Sequence, residues 1–224
     1  MTIKHGRKTG LGFCAMASGF LVMGLVSSSG WAGTIAGTEH DFSASNTDGQ
    51  LCINCHTPHN ADTTVTAAPL WNHDITTATF TLYTSNSLDA VAGQPDGTSK
   101  LCLSCHDGTV AVDSFGGTTG TNFMTGNALL GTDLSDDHPI SFTYDSALAN
   151  VDGGLYDPGA TNVTIGDPAD RTKTGTITAV LLSGGKMECS SCHDVHNSFV
   201  PAGEPSLLKV TKTGSAICLT CHDK

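Results

Sequence analysis

The sequence predicts a mostly coil chain with short α-helices, minor β-structure, and an interior that its own side chains do not fill. Three observations lead there. Hydrophobic residues make up 38% of the 224 and aromatics only 6%, thin material for a packed core at this size. Gly, Ser, Thr and Asp fill much of the remainder, punctuated by the turn pairs Asp96-Gly97, Asp107-Gly108, Asp152-Gly153, Asp157-Pro158 and Asp167-Pro168. Nine Cys and ten His stand far above ordinary usage. Only 14% of residues are charged, so the composition is not that of a disordered protein. A net charge of −11 argues against nucleic acid or an anionic membrane surface as a partner.

Residues 1–32 read as a secretory signal peptide. Lys4, Arg7 and Lys8 precede the apolar stretch Leu11–Val26, and the small-residue run SSSGWAG follows, with cleavage expected after Ala32. The stretch is short and rich in Gly and Ser for a bilayer span. Its removal takes Cys14 and His5, three of the ten basic residues and none of the acidic ones. No later apolar run is long enough to span a membrane. The chain 33–224 is therefore expected to be secreted, at the cell surface or outside it, with the periplasm as the alternative.

Every remaining cysteine falls in one pattern: Cys52-Ile-Asn-Cys55-His56, Cys102-Leu-Ser-Cys105-His106, Cys189-Ser-Ser-Cys192-His193 and Cys218-Leu-Thr-Cys221-His222. This is the attachment sequence of a c-type haem. Two thiols on one turn of helix match the two vinyl groups of a porphyrin, and the adjacent His projects under the ring to ligate iron. A disulfide framework would not place His after the second Cys four times. Structural zinc is mainly an intracellular use of such pairs and does not need the His. A thioredoxin-like motif would occur once, in a βαβ setting that is missing here. Four covalent haems c, each with its iron, are expected.

The second axial ligand decides between electron carrier and open catalytic site. Five further histidines remain in 33–224: His40, His59, His73, His138 and His196. Four are needed, so all four haems are expected to be closed by His on both sides. An internal repeat orders the candidates. One unit (about 33–115) reads Cys52–Asn60, Pro69-Leu70, then Leu101–Asp107; the other (about 132–224) reads Cys189–Asn197, Pro205-Ser-Leu, then Ile217–Asp223. Each has a His upstream, His40 or His138. His73 has no counterpart in the second unit, which makes it the surplus unless it displaces His59. His56 and His59 lie one helical turn apart on the same face, as do His193 and His196. Neither His59 nor His196 can reach the far side of the haem its own motif holds, so each must serve a different haem, which stacks haems in pairs.

The segments between motifs show no long helical period. Short strands are expected over Thr79–Tyr83 and Thr174–Leu182, with a minor hairpin within 140–182 and haem as the core.

The stretches His40–Ser43 (HDFS), Cys55–Ala61 (CHTPHNA), Ala68–His73 (APLWNH), Lys100–Ser114 (KLCLSCHDGTVAVDS), Asp136–Phe142 (DDHPISF) and the closing CLTCHDK resemble the tetrahaem OmcE-type cytochromes, subunits of extracellular cytochrome filaments. The resemblance covers most of 33–224. It implies bis-His haems, a largely loop fold and subunits joined head to tail, with a histidine of one subunit completing a haem of its neighbour; His40, on its N-terminal arm, is a candidate for that role. The function expected is electron transfer as a filament subunit, not enzymatic catalysis. The other readings are a discrete tetrahaem shuttle, and a multihaem reductase that the excess of distal histidines opposes. Expected partners are further copies of the chain and redox proteins or extracellular electron acceptors.

Overall fold

The computed structural model describes residues 34–67 and 69–223; the expected signal peptide lies outside them. The described residues belong to one compact unit. Most of it is coil and turn.

The longest helix is α1, Gly97–His106, which carries the second Cys-x-x-Cys-His motif. The Asp96-Gly97 pair, read as a turn, starts this helix: Asp96 is the extended N-cap residue, and Gly97 enters at φ +49°. Leu101 and Leu103 of α1 are both buried but in different clusters. Leu101 packs with Trp71, Cys55, Val65 and Ile75, and Leu103 with Phe80, Leu134, Ala78, Leu82 and Ile140. One short helix therefore divides two small apolar clusters.

The second half holds the largest cluster. Strand β1 (Phe142–Thr143) leads into α2 (Ser146–Asp152), whose first turn is capped by the Asp145 carboxylate accepting from Leu148 N–H. Asp152-Gly153 ends α2, with Gly153 left-handed at φ +67° and its N–H on Ala149 O. Strands β2 (Asn162–Gly166) and β3 (Thr172–Thr176) form an antiparallel hairpin in register Thr164 opposite Thr174. Asp167-Pro168 opens its loop, where the Asp167 carboxylate accepts from Ala169 N–H. Gly166 has φ +94°, and a Cβ there would collide with Arg171 O.

The expected hairpin within 140–182 is thus present, but Thr174–Leu182 is a strand only as far as Thr176. From Ile177 the chain turns into helix α3 (Ile177–Val180), because the Thr176 hydroxyl accepts from Ala179 N–H and caps it. The residues Ile177 and Val180, three apart, then share a buried face. Thr79–Tyr83 does not form a named strand either; it holds a single parallel bridge, Thr81 to Asp133, while the side chain of Gln94 brackets Phe80 at both its N–H and C=O. Strand β4 (Lys186–Met187) pairs with β1, and helix α4 (Cys189–Cys192) follows at once. Helix α5 (Ala216–Leu219) begins the last motif.

Phe142, Tyr144, Ala149, Ile165, Ile177, Val180, Leu181 and Met187 make the main cluster, with Cys221 against its edge. Tyr144 donates its hydroxyl to Tyr156 O at 2.7 Å, so the one polar atom this ring buries is satisfied. Among the described residues no helix is long and apolar enough to cross a membrane.

Ile177 is fully buried in this cluster, whereas Val151 on α2 is 72% exposed. Ile177→Ala is expected to cost about 2–5 kcal/mol in urea unfolding and Val151→Ala to stay within about 0.5. Equal effects would contradict the placement of the core.

Candidate functional site

All four motifs adopt one turn of helix, but only three carry a helix of their own. In the first, Cys52–His56, a single turn forms, with His56 N–H donating to Cys52 O at 2.8 Å. The same return bond joins His193 N–H to Cys189 O and His222 N–H to Cys218 O, each at 3.0 Å. The helix does not run on from there: His106 is the last residue of α1, but His193 is extended at φ −107° and ψ 143°, so the helical face expected to carry both His193 and His196 does not form. Among the described residues the eight motif cysteines form no disulfide.

The motif histidines are oriented by the chain beyond them. His56 Nδ1 donates to Pro69 O at 2.8 Å and His193 Nδ1 to Ser206 O at 2.6 Å, each carbonyl 13 residues on. His106 Nδ1 donates to Ala128 O at 2.7 Å. A backbone carbonyl accepts only, so it holds the proton on Nδ1 and leaves the Nε2 lone pair for a metal. The sequence repeat is also a structural repeat. His56 bridges Trp71 and His193 bridges Leu208, while Asn60, Leu70, Asn197 and Leu207 all take positive φ at matching places. Thr57 N–H donates to Leu70 O, and Asp194 N–H to Leu207 O.

Three histidine pairs face one another. His56 and His196 have ring centres 6.2 Å apart and nearly parallel planes. His40 and His106 stand at 6.1 Å, and His138 and His222 at 6.5 Å. Metal–imidazole nitrogen bonds run at about 2.0–2.1 Å, so two imidazoles on opposite sides of one ion have centres about 6 Å apart once the ring radii are added. In each pair one ring follows a Cys-x-x-Cys and the other does not. His138 Nδ1 lies 2.9 Å from Pro139 O, which turns its Nε2 outward as in the motif histidines. His59 and His193 are both exposed. His73 differs from all of these. It is 2% exposed, with Nδ1 2.7 Å from Asp74 O and Nε2 2.9 Å from Ala111 O, so both ring nitrogens are engaged by backbone.

The donor set fits a haem. Cys-x-x-Cys-His is repeated on a turn of helix each time, with the Nε2 side of three motif imidazoles left free by the Nδ1 bonds. Leu70, Leu129, Leu130 and Leu219 are exposed apolar side chains beside motif residues or the carbonyls that hold them. Leu130 N–H, for instance, donates to His106 O. Two polar atoms next to the motif rings, Trp71 Nε1 and His40 Nδ1, are buried with no partner in the protein. Among the described residues no group of His, Cys, Asp or Glu converges to hold a bare metal ion, which the structural-zinc reading of paired cysteines would require.

Burial raises three of the motif thiols well above their ordinary value. It pushes Cys55 up to about 11, and Cys105 and Cys221 up to about 12. His40 goes the other way, down to about 4, through burial and then the neighbouring His106, His193 and His196. Helices α1 and α4 meet so closely that the Cys102 and Cys189 thiols hydrogen-bond, which raises Cys102 and lowers Cys189.

Residues 182–224 match the family model of the doubled CXXCH motif. That motif indicates covalent haem c and points to the multihaem c-type cytochromes and electron transfer. No curated protein matches the chain.

Asp107 and Gly108, read in the sequence only as a turn, also shape the site. Asp107 follows His106 and is buried, accepting from Thr76 Oγ1 at 2.5 Å, Thr109 N–H at 2.7 Å and Thr109 Oγ1 at 2.8 Å. Gly108, at φ +74°, lets Leu129 lie 2.5 Å from where a Cβ would stand. Asp107→Ala leaves Thr76 and Thr109 without their acceptor and is expected to cost about 1–3 kcal/mol in denaturant unfolding; a change below about 0.5 would show that this network does not hold the turn behind His106.

Proposed function

We propose that this chain transfers electrons through four covalently attached c-type haems, each iron held between two histidines. The ring pairing carries the reading: among the described residues three motif histidines each face a histidine outside the motifs. A bound haem supplies a one-electron couple at its iron, at the lower potential that two imidazoles favour. The chain's residues hold and orient it. Cys52 and Cys55, Cys102 and Cys105, Cys189 and Cys192, and Cys218 and Cys221 form the thioethers. His56, His106, His193 and His222 ligate from the motif side, three of them held in the required tautomer by a distant carbonyl.

On the opposite side we assign His196 to the site of His56, His40 to that of His106, and His138 to that of His222. The repeat supplies the fourth assignment. Within each unit the upstream histidine, His40 or His138, faces the second motif. Between units His196 faces the first motif of the other unit, and the equivalent of His196 is His59. His59 therefore goes to His193, and the two Cys-x-x-Cys-His-x-x-His segments exchange ligands. His73, with both nitrogens on carbonyls, lies outside the set. No haem is then left without a distal histidine, which favours transfer over reduction of a small molecule.

The resemblance extends this reading to a secreted subunit of a head-to-tail filament. A heterologous contact that does not close generates such an open assembly. Because His40 is assigned within its own chain, subunits would join through surface contact and not through that ligand. The net charge of −11 favours the second reading, a discrete shuttle, at low salt, where acidic copies repel.

The ligand assignment is tested by single substitutions in the haem-loaded protein, read by electron paramagnetic resonance and absorbance. His59→Ala, His196→Ala, His40→Ala and His138→Ala should each convert one haem of the four from low-spin to high-spin, and His73→Ala should convert none. A high-spin haem in His73→Ala, or none in His59→Ala, overturns the assignment. The filament reading is tested by negative-stain microscopy of the native secreted protein: regular filaments are expected, and haem-loaded monomers at every salt and divalent-cation concentration would leave the shuttle in its place.

A further inference from the structure

Glu188 is a buried carboxylate between two of the proposed haem attachments. It immediately precedes Cys189 and is only 2% exposed. Its Oε2 accepts from Ser99 N–H in the first turn of α1 at 3.1 Å and from the Ser141 hydroxyl at 3.2 Å. Its Oε1 is buried and has no hydrogen-bond partner. Room for it exists because residue 97 is glycine; a Cβ there would stand 3.2 Å from Oε1.

The helices on either side are tied together around this group. Cys189 N–H donates to the Ser99 hydroxyl at 3.0 Å, and the hydroxyls of Thr98 and Ser190 meet at 2.6 Å. Helix α1 carries Cys102 and Cys105, and α4 carries Cys189 and Cys192, so Glu188 sits at the junction of two attachment segments. From the N-cap of α1 the Asp96 carboxylate faces Glu188, and from β4 Lys186 pairs with Asp96 at the partly exposed edge. Ser141 and Ser191 complete the surroundings and carry no charge.

Two ionised carboxylates are acceptors only, so the face between Glu188 and Asp96 has no donor until a proton arrives. Burial raises Glu188, Asp96 adds to the rise, and the Ser99 N–H opposes it. An added negative charge nearby strengthens proton binding, and a buried group feels it with little screening by salt.

We propose that Glu188 is a redox-linked proton site: it takes up one proton as an electron reaches a haem attached through Cys102 and Cys105 or through Cys189 and Cys192, and releases it on oxidation. This rests on the haem reading above. The step balances, since an external one-electron donor takes the iron from ferric to ferrous while a solvent proton converts the Glu188 carboxylate to the acid; both reverse together. Asp96, beside Glu188 and about half exposed, gives the proton a route to solvent. In the acid form a protonated Oε1 can donate to the facing Asp96 carboxylate.

The test is infrared difference spectroscopy with potentiometric titration of the haem-loaded protein on an electrode, with haem content and ligation checked by absorbance. On reduction the unaltered protein should gain a protonated-carboxyl band, and at least one midpoint potential should fall as pH rises, a tenfold rise in proton affinity appearing as about 59 mV for a one-electron couple. Glu188→Gln, of the same shape, should lose that band and flatten that potential. Asp96→Asn keeps Glu188 but removes the facing negative charge, so its pH-dependent range should move to lower pH. The same band and slope in Glu188→Gln with four haems loaded overturns the proton site alone. A chain that carries no haem overturns the proposed function and this step with it.

Discussion

The structure depends on a bond that ties each local turn to distant backbone. A Cys-x-x-Cys-His turn closes on itself through the histidine N–H and the first cysteine carbonyl. The imidazole is then fixed by a carbonyl 13 residues on for His56 and His193, and 22 residues on for His106. A net hydrogen bond of this kind is worth about 0.5–1.5 kcal/mol, too little to hold a fold by itself. Its larger effect is orientational, because it selects the tautomer and aims Nε2. The loop after each motif is thereby made part of the site, and coil becomes the useful structure.

Around these turns the protein core is divided. Three small apolar clusters lie against the motifs, with Cys55 at the edge of one and Cys221 at the edge of another. Exposed leucines stand beside the motif histidines instead of joining a common interior. The repeat then supplies symmetry: in each unit the upstream histidine faces the second motif, while His56 faces a histidine of the other unit.

Much of this was legible in the residues. The attachment motifs, the repeat and the count of five further histidines are local patterns, and the turns read at Asp152-Gly153 and Asp167-Pro168 are there, one ending a helix and the other opening a hairpin loop. What failed depended on a cap or on tertiary contact. Asp96-Gly97 begins the longest helix because Gly97 takes a positive φ beside Glu188, and Ile177–Val180 is helical because Thr176 caps it. The sequence left His59 and His73 open as alternatives; the backbone carbonyls on both nitrogens of His73 come from Asp74 and Ala111, and no spacing rule relates Ala111 to His73. Glu188 gave no signal beyond preceding Cys189, since its burial comes from α1.

The most direct measurement is a high-resolution experimental structure of the haem-loaded protein that locates the irons. The expected result is four irons, one between each of His56 and His196, His106 and His40, His222 and His138, and His193 and His59, with His73 bound to none. An iron on His73, or His59 and His196 on haems of their own motifs, would contradict the exchange of ligands between the two units.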